Sequence, residues 1–238
     1  MYDETIVSYR GTEELEILEK KMGLWLKCKS ELLSSLIEGK KILEVGCGIG
    51  SLTHFISRGK NDVVAIDLSP VCLDRAKRKG INATFLLADI CNAHALHGYH
   101  DFFDSVVMSD VLEHIEIQDR ALKVVFSLLR KNGVLILTVP AFQTLYSELD
   151  RKIGHYRRYQ KREIVEILRN VKFSVELCRY WNVLGLFGWF IVQKIQKKTD
   201  LYTGKPSLMR LYYKCLSLEA RTIFPFGLTL VVKARKPP

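Results

Sequence analysis

Acidic and imidazole side chains that could move a proton lie close together in the stretch SDVLEHI. Asp110, Glu113 and His114 are spaced i, i+3 and i+4, so a helical turn beginning there would place all three on one face. His155 follows in a later loop that could approach the same place. Such residues can act as a general base, bind a divalent metal that lowers the pKa of an acceptor hydroxyl, or cap a helix. The residues alone leave these three interpretations open.

A glycine-rich turn separates an apolar run from a helical segment in ILEVGCGIGSLTHFI. A strand over Ile42–Val45 leads into the turn, and a helix opens near Ser51. Glycines suit this turn because it is tight and lets a ligand approach the backbone closely. The next apolar run ends in Asp67, about 20 residues after Gly46, and an acid at that distance can accept hydrogen bonds from both hydroxyls of a ribose. The pattern predicts a bound nucleoside.

Two details of this loop favour S-adenosylmethionine over NAD or FAD. The dinucleotide pattern Gly-x-Gly-x-x-Gly would require a third glycine at Ser51, but the chain has it at Gly50. Glu44, inside the strand before the loop, fits poorly beside a pyrophosphate. It fits a ligand that carries a cationic amino group and no phosphate.

The same residues resemble the class I S-adenosylmethionine-dependent methyltransferases. Glu44–Gly50 is similar to their acid-x-Gly-x-Gly-x-Gly motif, LLADI to their third-strand motif and FDSVVMSDVLEHI to their fourth-strand motif. The likeness covers Gly39–Pro140 well and resumes weakly in Arg162–Tyr180 and in FGLTLVVKARKP. It implies a Rossmann-like, doubly wound α/β fold with a seven-stranded sheet of order 3-2-1-4-5-7-6 and an antiparallel seventh strand.

The resemblance also assigns roles to individual residues. It implies that Asp67 holds the ribose, that Leu68 lies against the adenine, and that Asp89 contacts the adenine amino group with Ile90 beside the ring. The glycine loop and the methionine end of the cofactor would be contacted by Glu44, Gly46, Cys47, Gly48, Gly50 and Ser109 or Met108.

A second resemblance concerns the acidic stretch after the fourth strand. Residues 110–114 are similar to the Glu-x-x-Glu-His motif of metal-dependent 2′-O-methyltransferases of small RNAs and of ubiquinone-pathway O-methyltransferases. This chain has Asp110 at the first position, which shortens one ligand arm. We therefore predict no metal and expect acid–base roles, with metal binding as the open alternative, for Asp110, Glu113, His114 and His155.

A basic, aromatic loop, HYRRYQKR, follows the fifth predicted strand. Aromatic rings interleaved with arginines can stack on bases and pair with phosphates, lie at a membrane headgroup layer, or hold a loop through its carbonyls. The resemblance implies that the loop borders the acceptor pocket, and we select Tyr156 and Arg158 as candidates to contact the acceptor.

An apolar segment of ten residues, Val183–Val192, is followed by the basic stretch QKIQKK. As a helix it would extend about 15 Å, half of a ~30 Å hydrocarbon core, so it cannot span a bilayer. It could cover an apolar acceptor or lie in a membrane interface. A helical hairpin packed on the sheet edge or a dimer contact would explain the apolar segment equally well.

The elements that must position these residues alternate along the chain. Continuous apolar runs indicate strands buried on both faces, as in a parallel sheet covered by helices. We predict strands at Lys41–Val45, Val63–Ile66, Ala83–Leu87, Phe103–Met108, Val134–Val139, Phe173–Tyr180 and Gly227–Ala234. Helices are predicted at Pro70–Lys79, Gln118–Arg130 and Arg162–Asn170.

We interpret the chain as one methyltransferase domain over 1–238. It would comprise an N-terminal helical segment over 1–38, a cofactor-binding core over 39–140 and an apolar helical insertion over 183–222 between the last two strands.

Composition limits the partners and the compartment. The chain has 36 basic and 26 acidic residues, a formal charge of +10, which favours anionic partners or reflects a generally basic surface. Its six scattered cysteines form neither a zinc-site pattern nor a disulfide framework, so we expect reduced, mostly buried thiols. The polar N-terminus lacks the apolar run of a signal peptide, and we expect a cytoplasmic protein.

These observations favour an O-methyltransferase that acts on a hydrophobic or lipid-linked small molecule, with peripheral membrane contact through 183–222. An RNA methyltransferase is the alternative that the charge and the arginine-rich loop suggest. A non-catalytic adenosylmethionine-binding subunit of a complex is the third hypothesis.

Overall fold

Apolar runs form the centre of the molecule because most of them are buried from both sides. In the computed structural model, which describes residues 15, 19, 23–59, 61–190, 206–219 and 222–238, they build one seven-stranded sheet of order β3-β2-β1-β4-β5-β7-β6. The strands are β1 Lys41–Val45, β2 Asp62–Asp67, β3 Thr84–Leu87, β4 Phe103–Ser109, β5 Leu129–Pro140, β6 Ser174–Trp181 and β7 Thr229–Arg235. The predicted order is confirmed.

Strands β1 to β5 run parallel, and β7 is antiparallel to both β5 and β6. Because parallel strands point the same way, their carboxyl ends meet at one edge of the sheet. In register, Val45 lies beside Ile66 of β2 on one side and Met108 of β4 on the other. The residues that follow these three positions therefore begin at the same edge.

Helices cover both faces of the sheet. They are α1 at 23–34, α2 Ser51–Ser57, α3 Pro70–Arg78, α4 Gln118–Leu128, α5 Glu148–Lys152, α6 Lys161–Asn170, α7 Val183–Phe190 and α8 Pro206–Glu219. Local signals start several of them: Ser69 accepts a hydrogen bond from the amide of Cys72 with Pro70 in the first turn, as expected of an N-terminal cap. Short 3₁₀ segments occur at Ala93–Tyr99, Leu112–His114 and Gln143–Leu145.

Adjacent residues of each strand pack into opposite layers of the core. Leu43 and Val106 belong to the layer under α4 and α6, whereas their neighbours Ile42 and Val107 pack with Leu33 of α1 in the other. Alternating sides with both faces apolar is the pattern expected of buried parallel strands.

Two differences from the predicted elements are larger than a shift of one or two residues, and each has a physical reason. Helix α4 ends at Leu128 because Leu129 turns to an extended conformation and pairs with Phe103, so β5 begins earlier than predicted. Helix α5 was not predicted. Ser147 and Asp150 cap its first turn reciprocally, and this five-residue element is too short to show helical periodicity.

The insertion between β6 and β7 is helical, as predicted. Helices α7 and α8 are joined through Asn182, whose side-chain oxygen accepts hydrogen bonds from the Gly185 amide at 2.9 Å and the Tyr212 hydroxyl at 2.7 Å. The buried carboxylate of Glu219 accepts a hydrogen bond from the amide of Val183 at 2.9 Å. The residues at 191–205, which include the basic stretch after α7, lie outside the described residues. In the part of the chain that is described, every helix is too short or too polar to cross a membrane.

All six cysteines lie in described parts of the chain and are free. Two of them, Cys47 and Cys72, are buried, and the other four are partly exposed. The expectation of mostly buried thiols is therefore wrong.

An ion-pair network joins the amino-terminal edge of β1 to the last strand. Both carboxylate oxygens of Glu38 accept hydrogen bonds from Arg235, at 2.8 and 3.0 Å, and Lys233 also donates to Glu38. These bonds hold the pKa of Glu38 at about 2, below its usual 4.5.

Replacement of Glu38 by Gln should destabilise the protein by about 1 kcal/mol at neutral pH, since its side chain is partly exposed. Because the folded-state pKa is depressed, this stabilisation is complete above about pH 4.5 and is lost as the pH falls towards 2. Urea unfolding from pH 7 to pH 3 measures it. The difference in the free energy of unfolding between wild type and Glu38→Gln should become smaller as the pH is lowered. The variant Glu166→Gln, at an exposed position, serves as control. A gap that stays constant over this range would contradict the assignment.

Candidate active site

The glycine loop after β1 has the backbone geometry that only glycine adopts easily. Gly46 has φ 71° and Gly50 has φ 81°. A Cβ on Gly46 would lie 2.6 Å from a methyl group of Val111, in the loop after β4, and one on Gly50 would lie 2.8 Å from Ile81. The loop therefore needs glycine for its turn and for its close packing.

Glu44 lies directly beneath this loop and is buried. Its Oε2 atom has no hydrogen-bond partner among the described residues. Burial raises the pKa of Glu44 to about 8. A buried carboxyl oxygen without a hydrogen-bond partner destabilises the protein unless a ligand supplies that partner. An ammonium group on the ligand would do so, which fits the amino group of S-adenosylmethionine.

Asp67 braces the loop from the end of β2. Its Oδ2 atom accepts a hydrogen bond from the Gly48 amide at 2.7 Å, and its Oδ1 atom accepts one from the Ser69 amide at 2.8 Å. Each carboxylate oxygen keeps a further lone pair, so the group can still accept hydrogen bonds from a ribose. Leu68, next to it, is among the most exposed large apolar residues of the described chain. Such exposure is expected of a side chain that packs against the adenine ring only when the cofactor is bound.

The remaining predicted cofactor residues begin at the same edge. Asp89 follows β3 and its carboxylate accepts a hydrogen bond from the Cys91 amide at 2.7 Å, while Ile90 is buried beside it. Ser109 ends β4 and is half-buried. The structure thus brings the predicted cofactor residues together, and their contacts with the cofactor stay a prediction.

The helical turn on which the shared face of Asp110, Glu113 and His114 depended does not begin at Asp110. Asp110 adopts φ 54° in a tight turn after β4, and the helical turn begins only at Leu112. Its carboxylate forms an ion pair with Lys29 of α1 and accepts a hydrogen bond from the Thr138 hydroxyl at 2.9 Å. Asp110 therefore points toward α1 and β5.

Lys29 was missed by the sequence analysis. Its side chain is only 5% exposed, and its ammonium also lies 5.1 Å from the centre of the Trp25 ring. A lysine within an amphipathic helix resembles any solvent-facing lysine, so the sequence carried no signal for this pair.

Glu113, His114 and His155 do come together. The 3₁₀ turn directs Glu113 inward, where it is fully buried and neither carboxylate oxygen has a hydrogen-bond partner among the described residues. Burial, together with the nearby charge of Asp110, raises the pKa of Glu113 well above its usual range. The rings of His114 and His155 meet edge to face at 4.6 Å, and one ligand atom of each of the three residues lies within 4.8 Å of the others.

His155 is oriented by Asp150, a residue that the sequence analysis did not select. The two are joined by a 2.9 Å hydrogen bond between Nδ1 of His155 and Oδ1 of Asp150. A carboxylate can only accept here, which assigns a proton to Nδ1; in the neutral form of the ring the lone pair is then on Nε2. Nε2 lies 3.9 Å from Oε1 of Glu113. Although burial opposes ionisation, hydrogen bonds from His155 and Arg158 hold the pKa of Asp150 at about 2.

The two candidate acceptor-contacting residues differ in their surroundings. Tyr156 is 52% exposed, and its amide donates a hydrogen bond to the Glu113 carbonyl at 2.8 Å. Arg158 is 5% exposed, its Nε donates a hydrogen bond to Asp150 at 2.9 Å, and its Nη2 forms an ion pair with the same carboxylate at 2.9 Å. Contact with the acceptor stays a prediction for both, and for Arg158 the structure adds a partner inside the protein.

The arrangement can hold a cationic nucleoside at one part of the sheet edge and accept a proton at another. A neutral imidazole that is fixed by an ionised carboxylate can take a proton and be stabilised when it becomes charged. Here the imidazole belongs to His155 and the carboxylate to Asp150.

Comparisons with known proteins agree with this architecture. A family model described as "Methyltransferase domain" matches residues 18–177. A mitochondrial ubiquinone biosynthesis O-methyltransferase of Schizosaccharomyces pombe is 36% identical over 111 residues, which are 42% of this chain and 38% of that protein. A ubiquinone biosynthesis O-methyltransferase of Xanthomonas oryzae pv. oryzae is 26% identical over 160 residues, 59% of this chain and 65% of that protein. The chain thus matches less than two thirds of the length of these relatives.

Solved structures share the fold at low sequence identity. An S-adenosylmethionine-dependent methyltransferase of Thermotoga maritima, described as a possible histamine N-methyltransferase, has a TM-score of 0.65 at 16% identity, covering 94% of this chain and 95% of that one. Another from Archaeoglobus fulgidus has a TM-score of 0.64 at 16% identity, covering 94% and 99%. Because the family model spans most of the chain, the protein belongs to the methyltransferase-domain family.

Proposed function

We propose that this methyltransferase acts on a hydroxyl oxygen of a hydrophobic or lipid-linked small molecule. The observation that carries the proposal is the pair formed by Asp150 and His155. An alcohol or phenol must lose its proton as its oxygen is methylated, and a histidine held in one tautomer beside the pocket can accept that proton.

The proposed roles of the chain's own residues follow from their positions. Glu44 and Asp67 hold the amino group and the ribose, and Leu68 lies against the adenine. S-adenosylmethionine would supply the methyl group of its sulfonium; as the acceptor oxygen bonds to this carbon in line, the carbon–sulfur bond would break and the neutral thioether S-adenosylhomocysteine would leave. Alignment of donor and acceptor then contributes most of the rate. His155 receives the hydroxyl proton on Nε2, Asp150 stabilises the resulting charge, and Tyr156 contacts the acceptor.

Exposed apolar side chains near the site support a hydrophobic acceptor. On α7, Leu184, Phe187 and Phe190 are all more than 40% exposed, and the ring of Phe187 lies 6.3 Å from that of Phe226. Large apolar side chains grouped at a surface indicate a binding region. The helix also reaches the His155 loop, since Trp189 lies over the Arg158 guanidinium.

The relatives point in the same direction. Those quoted above are named ubiquinone biosynthesis O-methyltransferases, which supports transfer to oxygen. The same apolar surface would suit peripheral contact between the segment 183–222 and a membrane, as the sequence suggests.

A specific observation favours metal binding as a second role for the cluster. Both oxygens of Glu113 are buried without hydrogen-bond partners among the described residues, beside two imidazoles. A carboxylate and two histidines form a donor set suited to zinc or another transition ion. The hydrogen bond from His155 to Asp150 would then orient a ligand. Asp110 stays outside this set because Lys29 engages it.

Replacement of Asp67 by Ala should weaken S-adenosylmethionine binding about 10- to 100-fold, because charge-assisted hydrogen bonds to the ribose and the brace on Gly48 are lost. Isothermal titration calorimetry measures it. Asp62→Ala, at the opposite end of the same strand, is the matched control and should bind normally. Equal affinity of Asp67→Ala and wild type would contradict the assignment.

Replacement of His155 by Asn should lower kcat by about 10²- to 10⁴-fold, the usual contribution of a general base. Cofactor affinity should be unchanged. His100→Asn, an exposed histidine before β4, is the control. Full activity in the presence of a strong chelator supports the base role. Activity that is lost on chelation and restored by added Zn²⁺ or Co²⁺, with Glu113→Gln inactive, would support the metal role.

Incubation of the purified protein with S-adenosylmethionine labelled in its methyl group and with cell extract tests the acceptor class. We expect the label in the organic-solvent fraction, as an ether that survives mild alkali. Heat-denatured protein is the control. Label confined to the RNA fraction would contradict the proposed acceptor. Tight cofactor binding without labelling of any fraction would indicate a non-catalytic subunit.

A further inference from the structure

A line of contacts connects the apolar insertion to the proposed base. Trp189 of α7 lies over Arg158, with the guanidinium carbon 4.5 Å from the ring centre. Arg158 donates one hydrogen bond to Asp150 through Nε and forms an ion pair with it through Nη2, and Asp150 accepts a hydrogen bond from His155. None of these three steps joins residues of the same regular element.

The carboxylate of Asp150 is held at both oxygens. Its Oδ2 atom accepts hydrogen bonds from the amide and the hydroxyl of Ser147, at 2.8 and 2.9 Å. Its Oδ1 atom accepts hydrogen bonds from Nε of Arg158 and Nδ1 of His155, both at 2.9 Å, and Nη2 of Arg158 lies 2.9 Å from the same oxygen as an ion pair. Because arginine and histidine meet at the same oxygen, a displaced guanidinium would change the position at which the imidazole bonds.

Arg158 itself has few other restraints. Apart from Asp150, its guanidinium reaches the Ala141 carbonyl at a long 3.5 Å. It is nevertheless 5% exposed, and the aromatic face of Trp189 lies over it. A cation against an aromatic face is held more firmly when water is kept away from it. Water would compete for the guanidinium if the ring were absent.

We propose that Trp189 is a positioning residue for the methyl transfer: by covering Arg158 it fixes Asp150, and through Asp150 it fixes the tautomer and the orientation of the His155 imidazole. The inference rests on the proposed function of His155 as the base. It gives α7 two tasks, since the face that contacts Arg158 aligns the base while Leu184 and Phe187 face outward, toward the hydrophobic acceptor. Movement of α7 on acceptor binding would therefore reach the base.

Two variants at one position test the proposal. Trp189→Ala removes the ring, and Trp189→Phe keeps an aromatic face. In protein labelled with ¹⁵N-histidine, long-range ¹H–¹⁵N spectra report which ring nitrogen carries the proton, and His155→Asn assigns the His155 signals. Wild type and Trp189→Phe should show the Nδ1-protonated tautomer. Trp189→Ala should show a mixture of tautomers, and Phe187→Ala, on the same helix, should leave the His155 signals unchanged.

Kinetics supply the second readout once an acceptor is in hand. Trp189→Ala should lower kcat on the order of tenfold with the KM for S-adenosylmethionine unchanged, and Trp189→Phe should restore most of it. Arg158→Lys, which keeps the charge but loses the planar fork, should resemble Trp189→Ala. Wild-type His155 signals in folded Trp189→Ala would overturn the proposal. The spectra require no acceptor, so this failure is distinct from an error in the proposed reaction.

Discussion

Burial of carboxyl groups at the carboxyl edge of the sheet is the constraint on which the site depends. A buried carboxyl group is costly unless a cation pairs with it, hydrogen bonds satisfy it, or it keeps its proton. This edge uses different solutions side by side. Buried Asp150 is paired with Arg158, and the partly exposed Asp110 is paired with the buried ammonium of Lys29, whereas Glu44 and Glu113 have unused oxygens among the described residues.

The paired acids at this edge stabilise the structure, whereas the unpaired acids belong to the candidate site. Each paired acid joins the sheet edge or its loops to another part of the chain. The ion pair between Asp110 and Lys29 attaches α1 to the turn after β4. The hydrogen bonds that Asp150 accepts hold the loop that carries His155. The unpaired acids are the places where the chain is incomplete by itself. The cationic donor of the reaction would complete Glu44, and a proton or a metal ion would complete Glu113.

Much of the fold and of the cofactor site could be predicted from sequence because both depend on local patterns. Apolar runs of strand length, interrupted by helical segments, predict a parallel sheet, and the glycine loop from Gly46 to Gly50 and the acid at Asp67 lie at set distances from the strands. The prediction failed where the fold overrides a rule based on local residue spacing. Asp110, Glu113 and His114 do have helical spacing in the sequence. However, Asp110 adopts a left-handed conformation with φ 54°, and the helical turn begins only after it.

The sequence by itself determined the strand order through its family likeness, the position of the nucleoside loop and the grouping of Glu113 and His114, since these follow from residue types a short distance apart. Only the tertiary structure decided which charges meet. Lys29 reaches Asp110 across 81 residues, and Trp189 of α7 reaches Arg158 in the loop before α6. Such pairs arise from how α1 and α7 pack over the sheet edge, and side chains on these helices look like ordinary surface or core residues until that packing brings them together.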